Sequence, residues 1–355
     1  MNHNRISPVL ASVFIAVAVM SLFPAAAIPA GEPLAVWIRS LTVAPAHTPS
    51  IAVVVRNTSD AAFTGQVAVA APAEWRLEPV ELPVSLPPSE SRQLRYTVKA
   101  GTSRDDNRYP ITVTATGSGI KVVHSQAIAT ASAPYFKPEI DGRTDDWNDA
   151  IPVTWVTDNR TTSVRTFWNR RQFSLLVAVD ESQLTRPGSA GAPFDAVQLA
   201  IAAEESVTGS DPNGQTTRYE FLLVPPREGD RGQPYCLAEP GQQLQLTQTD
   251  RPLAPLAFND AQLAVRREGT TTYYECALPW AKMRDAVAPS EGREFCLSVL
   301  VHDPDGTGLR DWGTGAGLPP AARNRLAWSR WLGATWPTEP PFDNKTSWGL
   351  CSSKY

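Results

Sequence analysis

The side chains best suited to binding in this chain are aromatic, and three of them crowd together near its C-terminal end. Trp328, Trp331 and Trp336 fall within nine residues. Flat aromatic rings can bury the apolar C–H faces of a sugar, while polar groups satisfy its hydroxyls. As a loop, the segment would expose at least one tryptophan, which is the arrangement we expect. As a helix, Trp328 and Trp331 would share a face and pack in a core.

Acidic side chains are numerous, but their pattern does not indicate catalysis. Hydrolysis of a glycosidic bond needs two carboxylates on opposite sides of that bond, and Asp195, Glu220, Glu275 and Asp303 form no recognisable pair of this kind. The sequence also lacks a nucleophile elbow, a zinc-protease helix motif and a glycine-rich phosphate loop. Four histidines in 355 residues leave little for general-base chemistry. The sequence therefore indicates a protein that is not an enzyme.

The segment 303–306, Asp-Pro-Asp-Gly, resembles the start of a calcium-binding loop. Calcium prefers carboxylate and other oxygen ligands, so Asp303 and Asp305 are predicted to hold a structural calcium ion. The twelfth position of such a loop would be Thr314, which is not acidic. Asp-Gly is also an ordinary turn signal, which is the alternative for this segment.

The cysteines all lie in the second half of the chain, and none forms a C-x-x-C pair: Cys236, Cys276, Cys296 and Cys351. An even count in an exported protein is compatible with two disulfides, whose pairing the sequence does not determine. Buried free thiols are the alternative.

Residues 1–30 are predicted to be a signal peptide. Arg5 supplies a positive charge, Pro8 to Phe23 is an almost uninterrupted apolar run, and the small residues that follow offer cleavage sites. A run of about 15 apolar residues is short for a membrane-spanning helix, which needs about 20, although a single N-terminal anchor is the alternative. No later segment is apolar enough to span. We expect the protein to be secreted, periplasmic or at the cell surface.

Composition indicates globular β domains. The net charge is −4 and the sequence pI is about 5.7, which gives no basic surface for nucleic acid or an anionic membrane. Hydrophobic residues make up 42% of the chain, enough for cores. The 32 prolines and the scarcity of helical patterns favour an all-β chain with many turns.

Two units follow the predicted signal peptide. Residues 34–132 contain short segments of alternating polarity at regular spacing, as in an immunoglobulin-like sandwich. Ser132-Ala133-Pro134 is predicted to be a linker. Residues 135–355 show a hairpin around 169–171, further strands, a short helix near Trp280 and a closing strand at 347–351. We expect this second unit to be a jelly-roll-type sandwich.

The first unit resembles the sandwich domain appended to bacterial α-galactosidases. The resemblance depends on four short motifs: the Val-Arg-Asn-Thr turn at 55–58, Pro-Ala-Glu-Trp at 72–75, the Leu-Pro-Pro-Ser-Glu turn at 86–90 and Tyr-Pro-Ile at 109–111.

The second unit resembles carbohydrate-binding module family 9 along its whole length. An Ile-Asp-Gly at 140–142 is followed by Asp-Asp-Trp at 145–147. The remaining motifs follow in the family's order: 167–180, 194–199, 274–280, 295–306 and the Trp348-Gly349 pair. The resemblance implies a β-sandwich, a structural calcium ion and a sugar clamped between two tryptophans.

Both clamp positions differ here from the family pattern, because they hold Ala192 and Phe342. If a glycan binds, the residues expected to hold it are Phe342 and Trp336, with Phe194 opposite them and His302 or Arg310 at the rim. The alternative is that Phe194 and Phe342 are packing residues and that the sugar site has been lost.

These observations predict an exported, non-catalytic protein that binds polysaccharide or its chain ends. The first alternative is a structural or adhesion protein that binds other envelope proteins and has no sugar site. The second is a haem-binding module of the same fold, which would need His or Met axial ligands. Only Met283 and His302 are available for that role in the second unit beyond the predicted signal.

Overall fold

The computed structural model describes residues 32–189, 191–203, 216–243, 249–283, 287–324, 326–336 and 340–351. The predicted signal peptide lies outside these ranges. Within them the chain is almost entirely β-structure, which confirms the predicted fold class. The helices are single turns: α1 (Trp312–Gly315) and the 3₁₀ turns Pro45–His47, Asp145–Trp147, Ala254–Leu256, Trp280–Lys282 and Pro320–Ala322. No helix in the described ranges has the length and apolar character needed to cross a membrane.

Two four-stranded antiparallel sheets form the first sandwich. Their strands are β1 (Leu34–Ile38), β2 (Ser50–Asn57), β3 (Phe63–Ala70), β4 (Arg76–Glu78), β5 (Glu81–Leu86), β6 (Ser91–Ala100), β7 (Tyr109–Gly117) and β8 (Ile120–Ile128). One sheet has the order β1-β2-β6-β4 and the other β5-β3-β7-β8. Alternate side chains of β6, such as Leu94, Tyr96 and Val98, enter the core between the sheets. The Tyr96 hydroxyl donates to the Val67 carbonyl across that core at 2.7 Å.

The second sandwich is larger. Its strands are β9 (Ser132–Ala133), β10 (Val153–Thr157), β11 (Arg160–Trp168), β12 (Gln172–Asp180), β13 (Ala196–Ala203), β14 (Arg218–Val224), β15 (Gln233–Ala238), β16 (Gln262–Glu268), β17 (Thr271–Pro279), β18 (Glu294–Asp303), β19 (Gly308–Asp311) and β20 (Thr346–Leu350). A five-stranded sheet runs β10-β11-β12-β17-β16. A seven-stranded sheet runs β15-β14-β13-β18-β20-β9, and β19 pairs with β18. The core between these sheets is built from alternate residues, including Val177, Leu199 and Val299.

Hydrogen bonds and apolar packing join the two sandwiches. Strand β9, in the segment predicted to be a linker, pairs in parallel with β20. The Gln126 side chain of β8 donates to the Ala316 carbonyl at 2.8 Å and also hydrogen-bonds both backbone groups of Ile38. The core of the second sandwich extends to Trp37 and Val54 of the first. The linker prediction was therefore wrong, because these backbone groups are already used in a sheet.

None of the four cysteines forms a disulfide, so the two bonds that the cysteine count allowed are replaced by the alternative of free thiols. Cys236 lies on β15, Cys276 on β17 and Cys296 on β18, while Cys351 follows β20. The Cys276 side chain packs in the core between the sheets. Burial raises the pKa of the Cys236 thiol to about 12 and raises that of Cys351. These side chains act as small apolar groups in the fold.

The carboxylate of Glu275 explains the Asp-Gly and Asp-Asp-Trp motif. Glu275 is fully buried on β17. One oxygen accepts the backbone N–H groups of Asp141 and Gly142 at 2.9 and 2.7 Å, and the other accepts the Trp147 indole N–H at 2.8 Å. Gly142 has a φ of +84°, a conformation that favours glycine. The motif is a loop fastened to the five-stranded sheet through one side chain.

Replacing Glu275 by Gln should lower the free energy of unfolding by about 2 kcal/mol, because an amide cannot accept all three donors and one would be left buried without a partner. Urea denaturation followed by tryptophan fluorescence measures the change. Glu268→Gln is the control, since the Glu268 side chain is 52% exposed and this change should stay within about 0.5 kcal/mol. Equal losses in the two variants would contradict the role given to Glu275.

Candidate functional site

The outer face of the seven-stranded sheet is covered by a segment that we call the strap, residues 326–336 and 340–344. Its two limbs are hydrogen-bonded to each other, with the Trp328 N–H 3.2 Å from the Pro341 carbonyl and the Asp343 N–H 3.2 Å from the Leu326 carbonyl. The Ser329 N–H donates to Glu220 on the sheet at 2.8 Å, and the Gln198 amide donates to the Ser329 carbonyl at 3.1 Å. The strap therefore satisfies polar groups that point away from the core.

Charged residues fasten the strap to the sheet. The Arg218 guanidinium donates to Glu220 at 2.8 Å, to the Ala327 carbonyl at 2.9 Å, and lies 3.2 Å from the Asp343 carboxylate. All three charged side chains are fully buried. Removing one partner of a buried ion pair leaves an uncompensated charge and is strongly destabilising. The strap is consequently part of the fold rather than a loosely attached loop.

Two of the residues predicted to bind sugar meet under the strap. Phe194 is 6% exposed and His302 is fully buried. The Trp331 ring lies between them, with its centroid 5.0 Å from each of the two rings. The Trp331 indole N–H points to the Gln198 carbonyl oxygen at 3.4 Å, and the His302 ring lies 3.0 Å from the same oxygen. In this arrangement the strap's own tryptophan fills the space between them.

The other three predicted residues are placed apart from this pair. Arg310 is fully buried in an ion pair with Asp303. Trp336 is partly buried, with the Arg330 guanidinium 5.0 Å above its ring centroid. Phe342 is partly buried and forms an isolated backbone bridge with Ala327. Their role in sugar binding stays a prediction.

The expectation of an exposed tryptophan in the strap was wrong. Trp328 and Trp331 are fully buried and Trp336 is partly buried. The segment is irregular, as expected of a loop, but it lies on a sheet whose outer face carries apolar residues such as Leu300. The rings are buried there because the sheet offers them apolar contacts.

The two candidate ligands of the haem alternative, His302 and Met283, do not meet in the structure. His302 lies beneath the strap and hydrogen-bonds Gln198, and burial lowers the pKa of its imidazole to about 3. Met283 packs in the core between the two sheets. The two side chains therefore lie on opposite faces of the seven-stranded sheet, so they cannot both ligate one iron.

Three buried carboxylates converge at the end of the second sandwich. Glu181, Asp195 and Asp303 each offer an oxygen within 4.8 Å of the others. Glu181 follows β12, Asp195 precedes β13 and Asp303 ends β18. One oxygen of Glu181 and one of Asp195 have no hydrogen-bond partner, although both side chains are about 1% exposed. The cluster has the oxygen-rich donor set that suits calcium.

Asp303 was predicted to bind calcium, and the structure places it in this cluster. Asp305, the other predicted ligand, is exposed and accepts hydrogen bonds from Gln183 and Thr185 instead. Sequence reasoning missed Glu181, which could have been noticed because it directly follows a strand that ends in Asp180. Asp195 was noted only as an acidic residue before a strand.

The pKa values of the three carboxyl groups are shifted in different directions. Burial, together with the neighbouring negative charges, raises the pKa of Glu181 to about 7 and that of Asp195 to about 8. Burial opposes the ionisation of Asp303 as well, but hydrogen bonds from Thr307 and Arg310 outweigh it and lower the pKa of this carboxyl. A divalent cation would favour the ionised forms of all three.

The outer face of the five-stranded sheet is not covered by the strap and keeps several side chains partly exposed. We call its central part the open face: Ser163, Arg165, Leu176, Ala178 and Tyr273. In the register of β11, β12 and β17, Arg165 pairs with Leu176, and Ser163, Ala178 and Tyr273 form the next row. All of these side chains except that of Leu176 are partly exposed.

Apolar packing supports one end of the open face. Leu176 belongs to a cluster with Trp147 and Phe167, and Tyr273 packs against that cluster. Phe136 continues the cluster, with its ring centroid 5.0 Å from that of Phe167. Sequence reasoning missed this face, although Arg165 and Tyr273 occupy outward positions of strands that alternate in polarity.

A cleft of about 510 Å³ opens beside this face. Its lining is formed by Ile140, Asp141, Asp230–Pro234, Asn259 and Ala261–Ala264. These described lining residues include several polar side chains but no aromatic ring. The cleft could hydrogen-bond a polar ligand but offers no flat apolar surface for stacking.

Comparison with known proteins finds a similarity for the first sandwich. Residues 47–118 match the family model of the NPCBM-associated, NEW3 domain of alpha-galactosidase. This match confirms the resemblance predicted for the first unit. No curated protein matches the chain.

Two solved structures similar to this chain are carbohydrate-binding modules of family 9 from Caldicellulosiruptor kristjanssonii. One, in complex with glucose, is 12% identical, covers 62% of this chain and 95% of its own, and has a TM-score of 0.39. The other, in complex with cellotriose, is 13% identical, covers 51% and 80%, and has a TM-score of 0.36. Similarity at this level is not evidence for a shared ligand.

Without added cations, the free energy of unfolding should fall as the pH rises from about 4 to about 8. The folded pKa values of Glu181 and Asp195 lie above those of the unfolded chain, so the folded state holds more protons across this window. Urea denaturation in a chelator at pH 5 and pH 8 measures the difference. Asp195→Asn should reduce it and Glu268→Gln should not. An unchanged pH dependence in Asp195→Asn would contradict this explanation.

Proposed function

We propose that this chain is a non-catalytic carbohydrate-binding protein and that a sugar residue lies on the open face. The observation that carries the proposal is the partly exposed Tyr273 beside the small side chain of Ala178, with Ser163 at the other side of that row and Arg165 in the neighbouring row. An aromatic face flanked by polar groups suits the apolar and hydroxylated surfaces of a pyranose. The match of residues 47–118 to a domain of alpha-galactosidase is in keeping with a role in glycan chemistry.

The strapped face is less suited to a ligand as it stands. Access to Phe194 and His302 would require Trp331 to leave, together with the hydrogen bonds of Ser329 to Gln198 and Glu220. The open face needs no such rearrangement. It is therefore the surface on which we place the sugar.

The lack of catalysis is supported by the state of the nearby carboxylates. Both oxygens of Glu275 already accept hydrogen bonds from the loop 141–147. Glu181 and Asp195 are buried away from solvent. Glycoside hydrolysis needs two carboxylates that reach the scissile bond, and these three are enclosed or occupied.

Export to the periplasm, cell surface or medium is part of the proposal. It is supported by Arg5 and the apolar run from Pro8 to Phe23, which suit a signal peptide. A glycan on the cell surface or outside the cell would then be within reach of the open face. Envelope proteins that carry such glycans would bind at the same surface.

Binding of a panel of oligosaccharides to the purified chain tests the proposal. Titration calorimetry should detect binding of at least one oligosaccharide. Tyr273→Ala should raise the dissociation constant of that oligosaccharide about 5- to 30-fold, the loss expected for a stacking contact of about 1–2 kcal/mol. Tyr235→Ala is the matched control, because Tyr235 is also partly buried but lies on β15 of the other sheet. If no oligosaccharide binds, the structural or adhesion alternative replaces this proposal.

We also propose that Glu181, Asp195 and Asp303 hold a calcium ion. Two unpartnered buried oxygens and a third carboxylate within 4.8 Å favour it. The ion would join the chain after β12 to the start of β13 and the end of β18, and its role would be structural.

Calcium on the order of 1 mM should raise the urea midpoint of the chain, and more so at pH 8 than at pH 5, because protonated carboxyls are poor ligands. A free calcium concentration about 100-fold above the dissociation constant would raise the free energy of unfolding by about 2.7 kcal/mol. Glu181→Gln with Asp195→Asn should abolish the effect, whereas Glu268→Gln should keep it. An equal calcium shift in the double variant would exclude this cluster as the site.

A further inference from the structure

We infer that the sugar taken by the open face is acidic: a uronic acid residue whose carboxylate pairs with Arg165 and whose ring lies on Tyr273. The inference rests on the proposed function and specifies the class of glycan. It follows from the charge balance of the face, the spacing of its side chains and the chemistry of the guanidinium group.

Arg165 stands out by its lack of a partner. It is partly buried in the middle of β11, and within the described part of the chain its guanidinium makes no hydrogen bond or ion pair. Burial lowers its pKa, while the nearby Tyr273 acts in the opposite direction. A guanidinium that has lost water without gaining a partner is stabilised by an incoming anion.

The other arginines on the same sheet are balanced. Arg160 pairs with Asp180 at 3.2 Å, and Arg266 pairs with Glu268 at 2.8 Å. Arg165 is therefore the uncompensated positive charge at the centre of the open face. An anionic ligand fits that charge, whereas a neutral ligand would leave it unpaired.

The negative groups nearby are already engaged. The Asp180 carboxylate is held by Arg160. Burial raises the pKa of Glu275, and its two oxygens accept three hydrogen bonds from the loop that covers it. Repulsion of a ligand carboxylate at Arg165 is reduced accordingly.

The spacing suits one sugar ring. Arg165 and Ser163 lie on β11 and Tyr273 on β17, with β12 between them. Strands are about 4.8 Å apart, so the two sides are separated by roughly 10 Å. Between them the row is occupied by Ala178, whose side chain is a single methyl group, so no bulky side chain stands between Ser163 and Tyr273 in that row.

Arg165 on one side of the open face and Tyr273 on the other offer different contacts to a ligand. A guanidinium donates two parallel hydrogen bonds to a carboxylate, a geometry that a single hydroxyl cannot match. The tyrosine ring offers a flat apolar surface and a hydroxyl at its tip. A pyranose that carries a carboxylate at one edge can use both sides at once.

The test compares acidic and neutral forms of the same oligosaccharides. Short oligomers of galacturonic, glucuronic and mannuronic acid and their methyl esters are titrated into the purified chain without added calcium. At least one acid should bind ten-fold or more tighter than its ester. Arg165→Gln should remove this difference, and Arg165→Lys should keep part of it because the charge remains while the paired donors are lost.

Arg104→Gln is the matched control, since Arg104 is also a partly exposed arginine but is paired with Glu74 in the first sandwich, away from the open face. Its effect on binding should be under two-fold. Circular dichroism of each variant shows whether the fold is kept.

The outcomes separate the two proposals. Binding of esters as tightly as acids, or acid binding that survives Arg165→Gln, overturns the acidic-sugar inference and leaves carbohydrate binding intact. No binding to any member of this panel or of the neutral panel overturns both. Equal binding of a glutamate-rich peptide would show that the face recognises carboxylates without recognising a sugar ring, and this also overturns the inference.

Discussion

The guanidinium of Arg218 is buried between the seven-stranded sheet and the strap, in contact with Glu220, Asp343 and the carbonyl of Ala327. Such a charge is tolerable only if its partners stay in place, because their loss would leave it in an apolar layer. The strap, the sheet face beneath it and the two buried tryptophans depend on this arrangement. On the other sheet, Arg165 and Tyr273 of the open face stay partly exposed.

The outer faces of the two sheets thus differ in how far they are covered. The strapped sheet is covered on both sides, and its outward Gln198 and His302 are used in internal hydrogen bonds. The five-stranded sheet keeps Arg165 and Tyr273 partly exposed. The carboxylate cluster at the end of the sandwich joins strands from both sheets, since Glu181 follows β12 while Asp195 and Asp303 flank β13 and β18. A cation there would hold the two sheets together without taking part in ligand contact.

Much of the fold could be predicted from period-two segments. The hairpin around 169–171, the short helix near Trp280 and the closing strand at 347–351 were predicted correctly, because apolar and alternating segments there are separated by clear turn residues. The edge strands β15 and β16 were missed because their patterns are weak. The strap was misjudged because its burial depends on the sheet beneath it, which no local pattern reveals. Arg165 and Tyr273 are distant in sequence, and only the register of β11, β12 and β17 brings them onto one face.

The parallel pairing of β9 with β20 has a consequence for how the chain can be divided. Strand β9 lies at Ser132–Ala133, before the point at which the second sandwich would be cut on sequence grounds. A fragment that began at residue 135 would lack this strand and leave β20 as an exposed edge, open to pairing with another copy. The core of the second sandwich would also lose its contacts with Trp37. The second sandwich takes its last strand and part of its core from the segment before it, so the two sandwiches cannot be separated at residue 135 without loss of these contacts.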